Sequence, residues 1–306
     1  MDLKTTIGDI ELEHPVLNAA GTCKTLEGFK KLIQTPLPAV MVGSITPEVR
    51  HGNPGETFYS NQNFSLNAVG LPNPGIEYYL DFLPQMVKIA DTEDKYVFVS
   101  VEGSKPAVYA ILTELAFQSG ARLVELNLGC PNKWTSDGRQ EIIPSYNLGM
   151  LKEILRACRR LSGSTKKDRI ICVKLSPIPD PVLLKKIADT INESDIISAV
   201  TTSNTLPNAF AYADNDKPAI QSVTELGGMG GPSLKPIALG QVKQLKELLR
   251  DDIDIIGVGG IKTGKDVLDY LKTGASAVQI GTACFDKGPQ IFSDVLTELV
   301  SYQNPA

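Results

Sequence analysis

Several polar residues that could do chemistry follow short apolar runs of the sequence. Asn127 and Cys130 stand in ELNLGCPN, and Lys174 stands in CVKLSP. Asn204 and Thr205 follow in TTSNTLPN. A cysteine whose thiol loses its proton near the working pH can serve as a general base, and asparagine side chains both donate to and accept from a polar ligand. Taken alone, a strand-end asparagine is often a turn residue, a lysine is often a solvated surface charge, and a cysteine is often a small core side chain. These residues form a site only if the fold brings them together.

Glycine-rich segments accompany these polar residues. Gly259-Gly260 stands in IIGVGGIKTG, Gly281 precedes Thr282 in VQIGTA, and GGMGG covers residues 227–231. Glycine lets a backbone approach a ligand closely. The loops after the last two strands of an α/β barrel commonly bind phosphate in this manner. The pattern therefore predicts a phosphate-bearing cofactor, and ordinary tight turns are the alternative.

Lys174 permits two kinds of chemistry. Beside the N1–O2 edge of a flavin, a lysine would stabilise the anionic reduced ring. In the core of a barrel, a lysine can instead form a Schiff base with a carbonyl substrate, as in an aldolase. The sequence by itself leaves both interpretations open.

Eight strand–helix repeats would bring these residues to one end of a barrel. The predicted strands are short apolar or β-branched runs at residues 16–19, 39–42, 96–101, 123–128, 170–175, 197–202, 253–258 and 277–280. The predicted helices are amphipathic stretches at residues 26–33, 76–90, 106–118, 148–161, 181–191, 236–249, 264–272 and 290–302. This pattern favours a closed parallel (β/α)8 TIM barrel, whose site lies at the carboxyl ends of its strands. A doubly wound α/β sheet is the alternative, but no glycine-rich turn follows the first strand.

Other segments complete the predicted architecture. TTIGDIEL alternates around Gly8-Asp9 and predicts an N-terminal β-hairpin under the barrel. Two long connections, at residues 47–75 and 130–147, would lie at the C-terminal face. No repeat or linker divides the sequence, so we expect one cofactor-binding barrel domain over residues 1–306.

Composition narrows the functional classes. A net charge of −5 gives no broad basic surface, so we expect no nucleic-acid partner. Only two histidines argue against a His-rich metal site and against a Ser-His-Asp triad. The five scattered cysteines form no CxxC pair and indicate reduced thiols in the cytoplasm. The sequence shows no signal peptide and no run long enough to span a bilayer, so we expect no membrane attachment.

The order and spacing of the motifs resemble the class 1 dihydroorotate dehydrogenases, the soluble, cysteine-based members of that family. The resemblance covers nearly the whole chain and rests on HPVLNAAG, GNP, SLNAVGLPNPG, ELNLGCPN, VKLSP, GGMGGPSLKPIAL, IIGVGGIKTGKD and GASAVQIGTA. It implies an FMN-dependent oxidoreductase of the CH–CH donor type that converts dihydroorotate to orotate in pyrimidine biosynthesis. It also implies a homodimer of FMN-binding barrels.

The resemblance further implies roles for individual residues. Cys130 matches the base that takes a proton from C5 of dihydroorotate while hydride leaves C6. The residues implied to bind substrate are Asn67, Val69, Gly70, Leu71, Asn127, Asn132, Asn204 and Thr205. The residues implied to bind FMN are Ala19, Ala20, Gly21, Ser44, Asn127, Lys174, Gly230, Gly231, Gly259, Gly260, Gly281 and Thr282.

Two departures from the family pattern stand out. Gly43 occupies a position where the family usually carries a lysine between flavin and substrate. We expect this glycine to leave a void that water or a larger substrate group could fill, and to make turnover of dihydroorotate weak or absent. A Gly43→Lys substitution should then raise that turnover. The loop after Cys130 also differs and reads NKWTSDGRQEIIPSYN, so that Lys133 or Arg139 could supply the missing charge. These changes leave open related flavin chemistry on another dihydropyrimidine or on an unsaturated amide or acid.

Two further functional classes stay open. A Schiff-base lyase using Lys174 would be colourless and would be inactivated by borohydride in the presence of substrate. A non-catalytic barrel would bind FMN without turnover. The sequence has no cysteine cluster for an iron–sulfur centre, so a redox enzyme of this sequence must pass its electrons to a small molecule or to an electron-transfer partner.

Overall fold

The computed structural model describes residues 3–135, 138–162 and 169–303. The strands in these ranges are β1 (Thr5–Ile7), β2 (Ile10–Leu12), β3 (Val16–Asn18), β4 (Ala39–Ile45), β5 (Phe58–Ser60), β6 (Ser65–Asn67), β7 (Tyr96–Val101), β8 (Leu123–Asn127), β9 (Ile170–Leu175), β10 (Ile197–Thr202), β11 (Leu206–Ala209), β12 (Gly227–Gly230), β13 (Asp254–Val258) and β14 (Ala277–Ile280). The α-helices are α1 (Leu26–Leu32), α2 (Gly75–Thr92), α3 (Pro106–Gln118), α4 (Leu148–Ser162), α5 (Pro181–Asn192), α6 (Lys235–Leu248), α7 (Gly264–Thr273), α8 (Thr282–Lys287) and α9 (Gln290–Gln303).

Eight parallel strands form the barrel that the repeats predict. They follow one another in the order β3-β14-β13-β10-β9-β8-β7-β4, and helices connect successive strands. The barrel prediction is therefore confirmed, and the doubly wound alternative is wrong. The second barrel strand differs from its prediction, because β4 continues past Val42 to Ile45. Gly43 and Ser44 thus lie within a buried strand rather than after it.

A side chain bridges the seam between the first and last strands of this order. The Asn18 Nδ2 donates to the Met41 carbonyl at 2.9 Å, and the Met41 amide donates to Asn18 Oδ1 at 2.8 Å. Asn18 is completely buried at the end of β3. Its carboxamide has the same donor and acceptor groups as a peptide unit, so it supplies at this point the two hydrogen bonds that a neighbouring strand would make.

Burial on both faces explains why the barrel strands read as continuous apolar runs. All six residues of β9 are buried, for example. Inside the barrel, Leu17, Met41 and Phe98 pack together with Ile7 and Ile10 of the N-terminal hairpin. The hairpin of β1 and β2 therefore closes the bottom of the barrel, as the alternation around Gly8-Asp9 predicts.

Two features at the opposite end were not predicted. A four-stranded antiparallel sheet, in the order β11-β12-β6-β5, joins residues of two loops that are distant in sequence. Its strands are only three or four residues long, and the GGMG run of β12 has no strand-forming side-chain pattern. The short helix α8 begins at Thr282, directly after the last barrel strand, where the sequence was interpreted as loop. Within the described ranges, no helix is long and apolar enough to cross a bilayer.

Candidate active site

A cavity of about 660 Å³ lies among the carboxyl ends of the barrel strands and the small antiparallel sheet. This volume is in the range of cofactor and ligand sites. Every site residue named from the sequence lines it. They are Ala19, Ala20, Gly21, Ser44, Asn67, Val69, Gly70, Leu71, Asn127, Cys130, Asn132, Lys174, Asn204, Thr205, Gly230, Gly231, Gly259, Gly260, Gly281 and Thr282. The cavity thus brings together the chemistry predicted from separate strand ends.

The four asparagines are linked by hydrogen bonds into one chain. Asn132 Nδ2 donates to Asn67 Oδ1 at 2.6 Å, and Asn204 Nδ2 donates to Asn127 Oδ1 at 3.1 Å. Thr205 connects the two pairs through longer contacts, because its hydroxyl lies 3.4 Å from Asn67 Nδ2 and 3.5 Å from Asn204 Oδ1. Amides and hydroxyls held in this way present fixed donors and acceptors with no net charge.

The chain of asparagines continues to β4 and β7. Asn127 Nδ2 donates to Ser44 Oγ at 2.9 Å, and Ser44 Oγ shares a hydrogen bond of the same length with Ser100 Oγ. Ser44, Ser100 and Asn127 are buried. The polar wall of the cavity is therefore anchored in the barrel strands rather than held by mobile surface side chains.

The Cys130 thiol lies at this polar wall and is 6 % exposed. Burial and the nearby Glu102 carboxylate raise the pKa of Cys130 to about 12. The Asn132 amide, Lys133 and Arg50 oppose this shift because each stabilises the thiolate. At neutral pH the thiol is thus protonated, and the sequence-based expectation of a pKa near the working pH does not describe the cavity without bound ligands.

Lys174 belongs to a buried polar network in the barrel. Its Nζ donates to Gln279 Oε1 at 2.8 Å and lies 3.5 Å from Glu125 Oε1. Gln279 Nε2 and the Thr201 hydroxyl both donate to Glu125 Oε2. Lys174 and Gln279 both line the cavity, so this buried network reaches the cavity wall.

The glycine segments expose backbone to the cavity. Gly259 and Gly260 have φ of +133° and +68°, values that favour glycine. A side chain at Gly21 would meet no atom within 4 Å, and one at Gly281 would meet only Ala19 Cβ at 3.5 Å, so both positions leave room for a ligand. Among the described residues, the amides of Gly259, Gly260, Gly281 and Thr282 donate no hydrogen bond to the protein. These free donors fit the phosphate site expected from the sequence.

A second set of free amides lies in the loop after β6. Gly70 has φ of +76° and Leu71 has φ of +59°. Successive backbone amides that a turn leaves free can bind an anion. Within the described ranges, the amides of Val69, Gly70 and Leu71 have no acceptor in the protein. These three residues line the cavity, and their free donors fit a carboxylate.

The loop after Cys130 is attached to the barrel by an ion pair. Lys133 Nζ lies 2.7 Å from Glu102 Oε1 and 3.4 Å from Glu141 Oε2, and Lys133 and Glu102 are buried. Burial opposes the charge of Lys133, but the Glu102 carboxylate outweighs it and raises the pKa of the lysine. Lys133 is therefore committed to Glu102, and Arg139 is exposed outside the cavity lining. Neither Lys133 nor Arg139 lines the cavity, so neither offers a side-chain contact to a ligand there. Residues 136–137 of this loop lie outside the described ranges.

The expectation of a void at Gly43 is wrong. Gly43 has φ of +113°, and a Cβ there would lie 2.3 Å from the Ser100 carbonyl oxygen and 2.8 Å from the Ile45 nitrogen. Gly43 also does not line the cavity. A lysine cannot be placed at this position without moving β4 or β7, so glycine here is a packing requirement and not a missing charge.

Several cavity residues were not identified from the sequence. Lys24, Ser203, Gln279 and the aromatic pair Phe58 and Phe285 line the cavity as well. The two rings have centroids 5.7 Å apart and are 40 % and 56 % exposed, so they form part of the cavity's rim. Phe58 and Phe285 lie on β5 and α8, the elements that sequence patterns did not reveal. Lys24 follows the first barrel strand, and its position in a strand-to-helix loop was an available signal.

The carboxyl ends of the barrel strands carry backbone donors, a buried lysine, a thiol and fixed amides. This combination is typical of a cofactor-dependent barrel enzyme. A family model described as dihydroorotate dehydrogenase matches residues 2–302. The chain belongs to this family, whose members are oxidoreductases that act on CH–CH bonds.

Individual relatives agree with this assignment. Dihydroorotate dehydrogenase A (fumarate) of Lactococcus lactis subsp. lactis strain IL1403 is 32% identical over 302 residues, which cover 97% of this chain and 93% of the relative. A putative dihydroorotate dehydrogenase A (fumarate) of Streptococcus pyogenes serotype M3 is 34% identical over 297 residues, with coverage of 96% and 91%. The crystal structure of dihydroorotate dehydrogenase from Eimeria tenella with ferulenol has a TM-score of 0.81 at 20% identity, over 99% of this chain and 85% of that one, and confirms the fold.

Proposed function

We propose that this protein is an FMN-dependent dehydrogenase that oxidises dihydroorotate to orotate. The observation that carries the proposal is that the Cys130 thiol, the linked asparagines and the glycine backbone donors share one cavity. Proton removal, recognition of a pyrimidine ring and phosphate binding each need one of these three groups. The names of two relatives support the proposal, because both read dihydroorotate dehydrogenase A (fumarate), in one case with the prefix putative.

The residues fit FMN. The free amides of Gly259, Gly260, Gly281 and Thr282 suit its phosphate, and the open space beside Gly21 and Gly281 admits a flat ring. Ser203 supplies a further polar group, because its buried hydroxyl lines the cavity without a partner among the described residues. Bound FMN would accept the hydride that leaves the substrate, and Lys174 would stabilise the negative charge that follows.

The chain's own groups would orient the substrate and move one proton. Asn67, Asn127, Asn132 and Asn204 would hold the ring, whose alternating N–H and C=O groups complement carboxamides. The thiolate of Cys130 would take the proton from C5 while hydride leaves C6. Burial and Glu102 raise the pKa of Cys130 to about 12, so a small fraction of the thiol is ionised at neutral pH, and the nearby Lys133 and Arg50 stabilise that thiolate. The amides of Val69, Gly70 and Leu71 would receive the substrate carboxylate.

The two competing classes are less well supported. A Schiff-base lysine must lose its proton before it attacks a carbonyl. The Lys174 Nζ lies 3.5 Å from the Glu125 carboxylate and donates to Gln279 at 2.8 Å, so it is held by acceptors within the barrel. A non-catalytic FMN-binding barrel would have no need for a thiol at the polar wall.

The experiment that tests the proposal is purification followed by an absorption spectrum and a turnover assay with dihydroorotate and fumarate. We expect a yellow protein with one non-covalent FMN per chain and formation of orotate. A colourless protein that does not take up added FMN would contradict the cofactor assignment. Inactivation by borohydride with substrate would instead point to a lyase at Lys174. Flavin binding without orotate formation would point to a non-catalytic barrel.

The remaining partners are part of the same proposal. We propose a small dicarboxylate such as fumarate as electron acceptor, with an electron-transfer partner as the alternative outcome of the assay. We also propose a homodimer, in which the exposed aromatic pair Phe210 and Tyr212, with ring centroids 5.0 Å apart, would be covered. A cytoplasmic location is supported by the five cysteines, all of which are free thiols. Light scattering of the purified protein tests the dimer.

A further inference from the structure

Lys24 is a cation of the cavity that the proposed mechanism does not yet use. It lies in the loop between β3 and α1 and lines the cavity beside Ala20 and Gly21. It is half-buried, and this burial lowers the pKa of its ammonium. Within the described part of the chain, burial is the one influence on this pKa, and no hydrogen-bond acceptor or carboxylate pairs with the Lys24 Nζ. A partly desolvated charge without a partner is costly, so its retention in a cavity wall indicates a ligand of opposite charge.

The loop that carries Lys24 is fixed from two sides. The Tyr79 hydroxyl donates to the Lys24 carbonyl at 2.8 Å, which ties the loop to α2. On the other side, the Gly43 amide donates to the Cys23 carbonyl at 2.9 Å, and the Gly21 amide donates to the Gly43 carbonyl at 2.6 Å. The ammonium therefore extends from a rigid base.

The other lysines of the cavity are accounted for. Lys174 is held by Gln279 and Glu125. Lys262 and Lys287 line the cavity but are exposed, and they follow the glycine segments at residues 259–260 and 281. Their positions suit the phosphate end of a cofactor. Lys24 differs from all three, since it is half-buried and belongs to the loop after the first strand.

The free amides of Val69, Gly70 and Leu71 line the same cavity as Lys24. Arg50 Nε donates to the Gly70 carbonyl at 3.1 Å and so holds this loop from behind, but Arg50 does not line the cavity. Backbone amides alone bind a carboxylate weakly in competition with water, whereas a charge-assisted hydrogen bond from an ammonium is roughly twice as strong as a neutral one. A cation and three free amides in one cavity together offer a carboxylate both charge and hydrogen-bond donors.

We propose that Lys24 binds the carboxylate of the substrate together with the amides of Val69, Gly70 and Leu71. This inference rests on the proposed function and names the residue that determines its substrate class. It makes the site selective for a dihydropyrimidine that carries a carboxylate over one that does not. Lys24 acts in binding and not in proton transfer, which remains with Cys130.

The test is titration of the FMN-loaded protein with orotate, followed by the change in flavin absorbance. Lys24→Met removes the charge and keeps the length of the side chain, and Lys30→Met is the matched control, because Lys30 is exposed on α1. We expect Lys24→Met to raise the Kd for orotate by about ten- to a hundred-fold, and Lys30→Met to leave it unchanged. Orotamide, in which an uncharged amide replaces the carboxylate, should bind wild type and Lys24→Met equally.

Each other outcome has a defined meaning. Equal orotate affinities of wild type and Lys24→Met overturn the assignment of Lys24 alone. Equal losses for orotate and orotamide, with a lowered flavin midpoint potential, overturn it in favour of contact between Lys24 and the cofactor. If wild type binds FMN but not orotate, the proposed function fails together with the inference. Partial recovery of orotate binding by Lys24→Arg would confirm that the charge is what the site requires.

Discussion

Asn132 and Asn67 share a hydrogen bond of 2.6 Å that joins the loop after β8 to the small antiparallel sheet. Both side chains line the cavity, and each comes from a segment that no helix or barrel strand contains. Asn67 also donates to the Gly228 carbonyl at 3.1 Å on β12. The bond therefore connects three separate parts of the chain at the point where a substrate ring would lie.

The first prediction concerns this pair. Asn132→Ala removes one member of the polar wall and leaves Asn67 Oδ1 without its donor, so we expect orotate affinity to fall by about ten- to a hundred-fold. FMN content should be unchanged. Asn215→Ala is the control, since Asn215 is exposed in a surface turn and accepts only from the Lys217 amide at 3.1 Å. An unchanged Kd for orotate in Asn132→Ala would show that the ring binds elsewhere.

The second prediction concerns the base. Cys130→Ser should slow reduction of the flavin by dihydroorotate by a factor on the order of 10² or more at neutral pH, because a hydroxyl is a far weaker acid than a thiol. Anaerobic stopped-flow absorbance measures this rate. Cys158→Ser is the matched control, since Cys158 is completely buried in α4 outside the cavity. It should lower thermal stability and leave the rate unchanged. Equal rates for Cys130→Ser and wild type would mean that another group accepts the proton.

The third prediction is the pH dependence of that rate. The reaction needs the thiolate, and burial with Glu102 raises the pKa of Cys130 to about 12. Below this pKa the thiolate fraction increases about tenfold per pH unit. The rate constant for flavin reduction should therefore still be rising at about pH 9, where an ordinary thiol with a pKa near 8.5 would already be largely ionised. A plateau below about pH 8 would show that bound ligands lower the pKa of Cys130 substantially.

The barrel and the positions of its strand ends followed directly from the sequence. Continuous apolar runs such as β9 mark buried parallel strands, and in such a fold strand ends must meet at one face. This is why Cys130, Lys174 and Asn204, which are far apart in sequence, could be assigned to one site before the structure was known.

The missed features depend on contacts between distant segments. The sheet of β5, β6, β11 and β12 forms because two long loops pair with each other, and no periodicity within either loop reports that pairing. The geometry of Gly43 depends on the Ser100 carbonyl of the neighbouring strand. The ion pair between Lys133 and Glu102 likewise forms only when distant segments pack together, so the sequence does not indicate which carboxylate the lysine contacts.

The fourth prediction tests the packing at Gly43. Gly43→Ala places a Cβ against the Ser100 carbonyl at a positive φ, so the free energy of unfolding should fall by about 2–5 kcal/mol. Gly240→Ala is the matched control, because Gly240 lies within α6 and a Cβ there meets nothing within 4 Å. It should raise the free energy of unfolding by about 0.5–1 kcal/mol. Denaturant unfolding of both variants measures the difference. A Gly43→Ala protein as stable as wild type would restore the earlier expectation of a void.

The fifth prediction tests the central claim, that this cavity oxidises dihydroorotate with a bound flavin. The measurement is an anaerobic titration of the purified yellow protein with dihydroorotate, followed by flavin absorbance and by analysis of the product. Because hydride and proton leave the substrate together, we expect the flavin to be bleached and orotate to form in equal amount. A flavin that stays oxidised with excess dihydroorotate, yet is bleached by dithionite, would contradict the account.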